Sequence, residues 1–347
     1  MRSLISALIF VACIPACGRR PSPTDTSTVP SAQAPSPVAA TPVPPDASID
    51  GVPAMPAPVE AFVGPVDAAP LVARARELYP TARRVAVEGE AFVVLSLEDT
   101  PLFDQATRFL RRVLRSYFSL RFAKIPVLPV YIVLFPRFEG FDHYSSDHYG
   151  VPGKDNLGAY QRDRREIIVD LSNGEHSLPT ISHEVAHAII GDEWEGVPLW
   201  FNECVATVFE SPRWVGEDIY GAKWSRRYKL LSDTLASPAR APSAHFDALF
   251  GMSNQAFRGI DPAVGSVATS RDPALRAAAR ARGALREASA RYACVWLDDQ
   301  GMLTPFYEDW HDHFASDPKG VAAFERVVHA KPADVQERWA RWVLTSP

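Results

Sequence analysis

Residues 181–190, with the sequence ISHEVAHAII, constrain the fold of this chain more than any other stretch. His183 and His187 stand four residues apart, and Glu184 directly follows the first of them. In an α-helix this spacing puts both imidazoles on one face, where they can converge on a single ion. The apolar neighbours predict a buried helix, in which two histidines without partners would be costly. A metal ion or hydrogen bonds to acidic groups would each satisfy them.

The flanking residues predict where this helix starts and ends. Ser177 and Pro179 suit its start, and Gly191 suits its end. A second helix is predicted within GVPLWFNECVATVFE, residues 196–210, with Pro198 in its first turn. Because the connection between the two helices is short, they must return past each other and pack together.

The second helix carries a carboxylate that can face the histidine pair. Glu203 lies 16 residues after His187. Two histidines, one carboxylate and an open fourth position for water form the usual ligand set of a catalytic zinc ion. We therefore expect His183, His187 and Glu203 to bind Zn²⁺. Glu184 would be the catalytic base that takes a proton from the attacking water.

These segments resemble the gluzincin zinc metallopeptidases, and in particular the peptidase-MA-like bacterial family. The likeness is carried by HExxH and by PLWFNECVATVFE, which resembles the LWLNEGFA segment of the aminopeptidase branch and the motif P-x-W-x-x-E-G-x-A of the peptidase-MA-like proteins. The matching residues are Pro198, Trp200, Asn202, Glu203 and Ala206. Cys204 replaces the usual glycine, and the interval from HExxH to the glutamate is shorter than in many members, as in the shorter bacterial branch. The likeness extends less specifically over residues 90–345.

The resemblance implies further features of the site. GAY, residues 158–160, followed by REIIVDL, looks like the edge strand above the zinc that pairs with an extended substrate. Tyr292, in a later helix, is a candidate to stabilise the oxyanion, although a core tyrosine with a satisfied hydroxyl is the alternative. Thr207 and Glu210 could orient the histidines, or could serve only in packing or at the surface.

The N-terminus predicts an exported lipoprotein. Residues 1–17 contain a short apolar run that is typical of a secretory signal. IPAC, residues 14–17, resembles a bacterial lipobox, with Pro15 as a departure, so we expect cleavage before Cys17 and lipidation of its thiol. Gly18 fits export to an outer membrane. A bacterial envelope location, with membrane attachment through the lipid, is therefore expected.

A linker follows the predicted anchor. Thirteen of the 31 prolines lie between Pro21 and Pro70, so residues 18–70 are expected to form a disordered tether. Cys204 and Cys294 remain after the signal is removed, and they could pair or remain as two buried thiols, which is the simpler interpretation. With a net charge of −5 and no basic block, the composition argues against nucleic acid as a partner.

The remaining chain, residues 71–345, is predicted to be one α+β metallopeptidase domain. Its first half, 71–175, contains a small mixed β-sheet with strands within 91–97, 128–135 and 157–171 and a helix over 104–118. Beyond residue 198 strand patterns disappear, so the second half, 176–345, is expected to be all-helical. His143 and His148 are predicted in a loop, and His176, His311 and His313 at the surface.

The function predicted from these residues is hydrolysis of peptide bonds in a peptide or protein substrate by a membrane-tethered zinc peptidase. A lipoprotein that keeps the scaffold and acts by interaction, without turnover, is the alternative. The sequence leaves open the substrate, internal or terminal cleavage, and the oligomeric state.

Overall fold

The structure, a computed structural model, describes residues 67–122, 124–153, 156–260 and 272–345. The predicted signal sequence, Cys17 and nearly all of the predicted tether lie outside the described residues. The first helix begins at Ala69, two residues before the predicted domain boundary. The helices are α1 Ala69–Leu78, α2 Phe103–Leu120, α3 Phe138–Tyr149, α4 Leu178–Glu193, α5 Leu199–Val208, α6 Tyr228–Leu235, α7 Asn254–Phe257, α8 Pro273–Asp299, α9 Leu303–His313, α10 Val321–Val328 and α11 Gln336–Leu344.

A five-stranded mixed sheet organises the first half of the domain. Its strands are β1 Arg84–Glu88, β2 Phe92–Ser96, β3 Val130–Phe135, β4 Gly158–Gln161 and β5 Glu166–Asp170. The order across the sheet is β1-β2-β3-β5-β4, with β2, β3 and β5 parallel and β1 and β4 antiparallel at the two edges. The α+β class and the helical C-terminal region are therefore confirmed.

Helices cover both faces of this sheet. Side chains at alternate positions, such as Ile132, Ile167 and Val169, join α2 and α4 in the larger core. The intervening side chains, such as Val133 and Ile168, join a smaller core with residues of α1 and α3. The central strands are fully buried, which agrees with their apolar sequences. The sheet therefore separates two layers of helices, and α4 lies on one side only.

The two helices with the predicted site residues lie in the larger core. Ser177 stands at the N-cap of α4 and a proline occupies its first turn, as expected, but the helix continues past Gly191 to Glu193. Pro198 is the N-cap of α5, in which every residue is buried. Aromatic rings of α9 pack on α5, and the Phe201 and Trp310 ring centroids lie 4.8 Å apart. This packing fixes the helix that carries Glu203.

Three elements differ from the sequence prediction. Residues 138–149, predicted as a loop around His143 and His148, form α3, because Phe141 and Ser145 are buried on one helical face. Strand β1 was missed. The C-terminal half is not all-helical, because β6 Pro212–Val215 and β7 Asp218–Gly221 form a hairpin.

A disulfide joins α5 to α8. Cys204 and Cys294, which are 90 residues apart in sequence, are bonded, with their Cα atoms 5.5 Å apart. The interpretation as two buried free thiols is therefore wrong. Sequence could not decide this, because only the packing of α5 on α8 brings the two cysteines together. The bond holds the helix turn that bears Glu203.

Within the described residues, no helix combines the length and the apolar character that crossing a membrane requires.

The disulfide is expected to stabilise the domain by closing a long loop. The Cys204→Ser/Cys294→Ser double variant should lose roughly 2–4 kcal/mol of unfolding free energy, since the bond limits the unfolded chain. Denaturant unfolding with and without a reductant measures this. The reductant should destabilise the wild-type protein and leave the double variant unchanged; equal stability of the oxidised and reduced wild-type protein would contradict the expectation.

Candidate metal centre

Three buried side chains from α4 and α5 converge at one point. His183, His187 and Glu203 each offer a ligand atom, and these atoms all lie within 4.8 Å of one another. The two Nε2 atoms are 3.0 Å apart. The Glu203 carboxylate oxygens lie 4.0 Å from Nε2 of His183 and 3.8 Å from Nε2 of His187. The structure thus brings together the three residues that were predicted as ligands.

The partners of the other ring nitrogens determine which imidazole nitrogens face the centre. Nδ1 of His187 lies 2.9 Å from the Asn202 side-chain oxygen, to which it donates its proton. Nδ1 of His183 lies 3.3 Å from Oε1 of Glu210, whose negative charge favours a proton there. Both Nε2 atoms are then left bare and point at each other. Two lone pairs at 3.0 Å repel unless a cation lies near them.

Burial controls the charge of all three groups. It lowers the pKa of His183 to about 3, with a further contribution from His187. It also lowers the pKa of His187 to about 4. Burial raises the pKa of Glu203 to about 8. Neutral imidazole is the form that binds metals, so both histidines are ready to bind, and metal uptake would release the proton of Glu203.

The distances fit a tetrahedral ion. Ligand atoms at 2.0–2.1 Å from a tetrahedral zinc lie roughly 3.3 Å from one another. The two Nε2 atoms are close to that separation, and the Glu203 oxygens exceed it by less than about 1 Å, which a small side-chain rotation corrects. A buried group of three side chains that could hold a metal ion is therefore present.

Glu184 is a buried carboxylate without a hydrogen-bond partner among the described residues. Both of its oxygens are fully buried. Burial, followed by the charges of Glu203 and Glu210, raises its pKa well above the usual value, while the nearby backbone N–H of Tyr160 opposes this shift. An isolated buried carboxylate is costly unless a cation, water or substrate completes its surroundings.

Strand β4 passes directly over Glu184. A Cβ atom added to Gly158 would lie 3.2 Å from Cγ of Glu184 and 2.7 Å from Cγ2 of Thr180. Only glycine therefore lets the strand approach α4 so closely. This edge strand, with the predicted GAY sequence, lies beside the predicted base.

A buried network of charged side chains lies next to His183, on the side of its Nδ1 atom. Glu210 forms ion pairs with Arg227 and, at 3.9 Å, with Arg226. Burial alone would raise the pKa of Glu210, but Arg227, followed by His183, Arg226 and Arg291, holds it well below its usual value. Glu210 is therefore ionised beside the imidazole. Arg227 also contacts Glu287 at 3.6 Å, and burial raises the pKa of Glu287 to about 7.

A cavity of about 220 Å³ reaches His183 from the side of Glu210. Its lining includes His183 and Glu210, together with Arg226, Thr180 and the exposed His176. It is smaller than a pocket for a whole drug-sized ligand, but it is large enough for one side chain or an ordered water cluster.

The remaining predicted residues lie elsewhere or have other roles. The Tyr292 hydroxyl donates to the Lys223 carbonyl and contacts Ser225 in the core, so the oxyanion role predicted for it is not supported. Thr207 donates within its own helix to the carbonyl of Glu203, which is a packing role. Of the two surface histidines of α9, His313 is exposed and His311 is half-buried against Glu193.

Two functional residues were missed from the sequence. Asn202 was noted only as part of a motif, although its place next to Glu203 on α5 put it within reach of α4. Arg227 lies beyond the hairpin in sequence, and no regular sequence spacing predicts the ion pair that it forms with Glu210. Glu210 lies 3.3 Å from Nδ1 of His183, the histidine that it was predicted either to orient or only to pack near.

The sequence matches no known protein family, and no similar chain is found among curated proteins. The geometry of the centre therefore carries the functional argument by itself.

We expect one equivalent of Zn²⁺ to bind to the purified chain and to raise its melting temperature. Glu203→Gln should abolish stoichiometric binding, because a neutral amide replaces the anionic ligand. Asn202→Ala should weaken binding about 10–100-fold, because His187 loses the group that orients it. Isothermal titration calorimetry and elemental analysis measure both effects.

The matched control is Glu195→Gln, which makes the same chemical change at an exposed residue between α4 and α5. It should bind zinc as the wild-type chain does. A wild-type chain that takes up no divalent ion would rule out the centre.

Proposed function

We propose that the chain is a zinc metallopeptidase of the gluzincin type, with His183, His187 and Glu203 as ligands and Glu184 as general base. The observation that carries this proposal is the unpartnered, buried carboxylate of Glu184 next to a group of two bare imidazole nitrogens and a carboxylate. A metal site with a purely structural role would be expected to have four protein ligands and would not need a buried free base.

Each side chain of the centre has a role in hydrolysis. A bound zinc ion would supply the charge that polarises the scissile carbonyl and acidifies the attacking water. Glu184 accepts the proton of that water and returns it to the leaving nitrogen. A nearby divalent cation also counters the burial that raises the pKa of Glu184, so the carboxylate can be ionised at the start of the reaction. Asn202 and Glu210 hold the imidazoles in the required tautomers.

The edge strand β4 supports a peptide as the substrate. Among the described residues, β4 pairs with β5 alone, so its other edge has no strand partner. An extended peptide that pairs with this edge would bring its backbone next to Glu184, since β4 passes directly over that residue. Main-chain pairing does not select for side-chain sequence, which agrees with a peptide or protein substrate and not with nucleic acid.

Glu184→Gln should lower peptide hydrolysis about 10²–10⁴-fold, because the amide cannot accept the proton of water. The same variant should retain one equivalent of zinc, since the metal ligands remain. Turnover of a fluorescence-quenched peptide library and zinc content are measured on the same samples.

Glu195→Gln again serves as the control and should keep full activity. If the wild-type chain binds zinc and hydrolyses no peptide in the library, the alternative of a tethered interaction protein without turnover is favoured. Activity that persists in Glu184→Gln would contradict the assignment of the base.

We also propose that the protein is lipidated at Cys17 and anchored to the bacterial cell envelope. The support is the lipobox-like IPAC sequence and the Pro-rich segment that follows it. In the expressing cell, Cys17→Ser should move the protein from the membrane fraction to the soluble fraction, as measured by fractionation and immunoblotting. An unchanged distribution would contradict the anchor.

A further inference from the structure

A second and larger cavity lies on the face of the sheet opposite α4. It has a volume of about 570 Å³ and opens between the end of α1 and the helix α3. The side chains of Tyr131 and Glu166 line it from the sheet, where the two residues are paired across β3 and β5. This volume is typical of small-molecule pockets. The cavity is separate from the metal centre, because the sheet lies between them.

Aromatic rings and one buried carboxylate form most of the cavity wall. Tyr79, Tyr131 and Tyr144 contribute rings, and the ring centroids of Tyr79 and Tyr131 lie 5.6 Å apart. His148 stacks on Tyr144 at 3.9 Å near the opening. Glu166 is only 1% exposed. Aromatic faces around an acidic group are the surroundings that bind organic cations.

Tyrosine hydroxyls hold the Glu166 carboxylate. Tyr144 donates to Oε1 at 2.6 Å and Tyr149 donates to Oε2 at 2.8 Å. Burial, followed by the charge of Glu166, raises the pKa of Tyr144 and Tyr149, so both hydroxyls stay protonated and act as donors. Burial, followed by the charge of Glu166, also raises the pKa of Tyr79. An ionised carboxylate has about four acceptor sites, so the two hydroxyl donors leave acceptor capacity for a ligand.

Among the described residues, Glu166 forms no salt bridge with a lysine or arginine, although Arg164 lines the same cavity. Arg164 lies at the opening over the Tyr149 ring, with its guanidinium carbon 5.4 Å from the ring centroid, and it is exposed to solvent. Hydroxyl donors orient a carboxylate without removing its charge. A buried anion that lacks a counter-charge attracts a cation more strongly than a surface one does.

We propose that this cavity binds an organic cation, with its ammonium or guanidinium head on Glu166 and its apolar stem against the tyrosine rings. The head donates hydrogen bonds to the Glu166 carboxylate and pairs with its negative charge. Such a head belongs either to a free amine or to a lysine or arginine side chain of a peptide. Both sources have the same recognition chemistry. This proposal does not depend on the function proposed for the metal centre.

The test titrates the full chain with benzylammonium and with the neutral analogue benzyl alcohol, by calorimetry at pH 7. Benzylammonium should bind at least about tenfold more tightly than the alcohol, because hydrogen bonds to charged groups contribute more than neutral ones. The second arm uses Nα-acetyl-lysine N-methylamide, whose side-chain ammonium group is free. Preference for this compound indicates a peptide side chain as the natural ligand, and preference for benzylammonium indicates a free amine; both support the proposal.

Glu166→Gln should weaken benzylammonium binding at least about tenfold, because the charge is lost while an acceptor for the tyrosines remains. Thr81→Trp is a second variant, which narrows the exposed rim of the cavity without touching Glu166, and it should weaken the cation and the alcohol alike. Glu90→Gln, at an exposed residue between β1 and β2, is the control and should bind normally. A wild-type chain that binds neither cation, or that binds benzyl alcohol equally well, overturns the proposal.

Discussion

The burial of charged and polar groups between α4 and α5 is the constraint on which the rest of the structure depends. Two imidazoles and the carboxylates of Glu184 and Glu203 lie in a core whose other side chains are largely apolar. Such groups are stable in a core only with partners. Asn202 hydrogen-bonds the outer ring nitrogen of His187, and Glu210 lies 3.3 Å from that of His183. The two Nε2 atoms and the Glu203 carboxylate form a buried group that could hold a metal ion.

The surrounding fold keeps these groups in place from several directions. The glycine at position 158 lets the edge strand lie directly on α4, and the aromatic side chains of α9 press on α5 from the opposite side. The disulfide joins α5 to the long helix α8 one residue away from Glu203. A ligand set that is held by the backbone in this way needs little reorganisation when it binds an ion, which lowers the cost of binding.

Sequence reasoning was most successful where a pattern has a strong local cause. The helix α2, the strands β2 and β3 and the starts of α4 and α5 follow from periodicity and from proline and serine positions. It failed for α3, whose polar and aromatic residues are typical of loops and whose helical face packs on the sheet. It also failed for the hairpin of β6 and β7, whose strands have four residues each. For the site, helix spacing predicted which side chains converge, whereas the Cys204–Cys294 bond and the contact of Arg227 with Glu210 depend on long-range packing.

The short length of strand β4 sets a limit on recognition along the edge of the sheet. The strand has four residues, Gly158–Gln161, and at about 3.3 Å per residue it spans roughly 13 Å. A chain that added itself there would be held by backbone pairing over only a few residues and would have to be fully extended along that distance. Helical segments and tightly folded domains do not meet this condition. Unstructured termini, exposed loops and polypeptides that have already lost their fold do, so the conformation of a target would matter more than its composition.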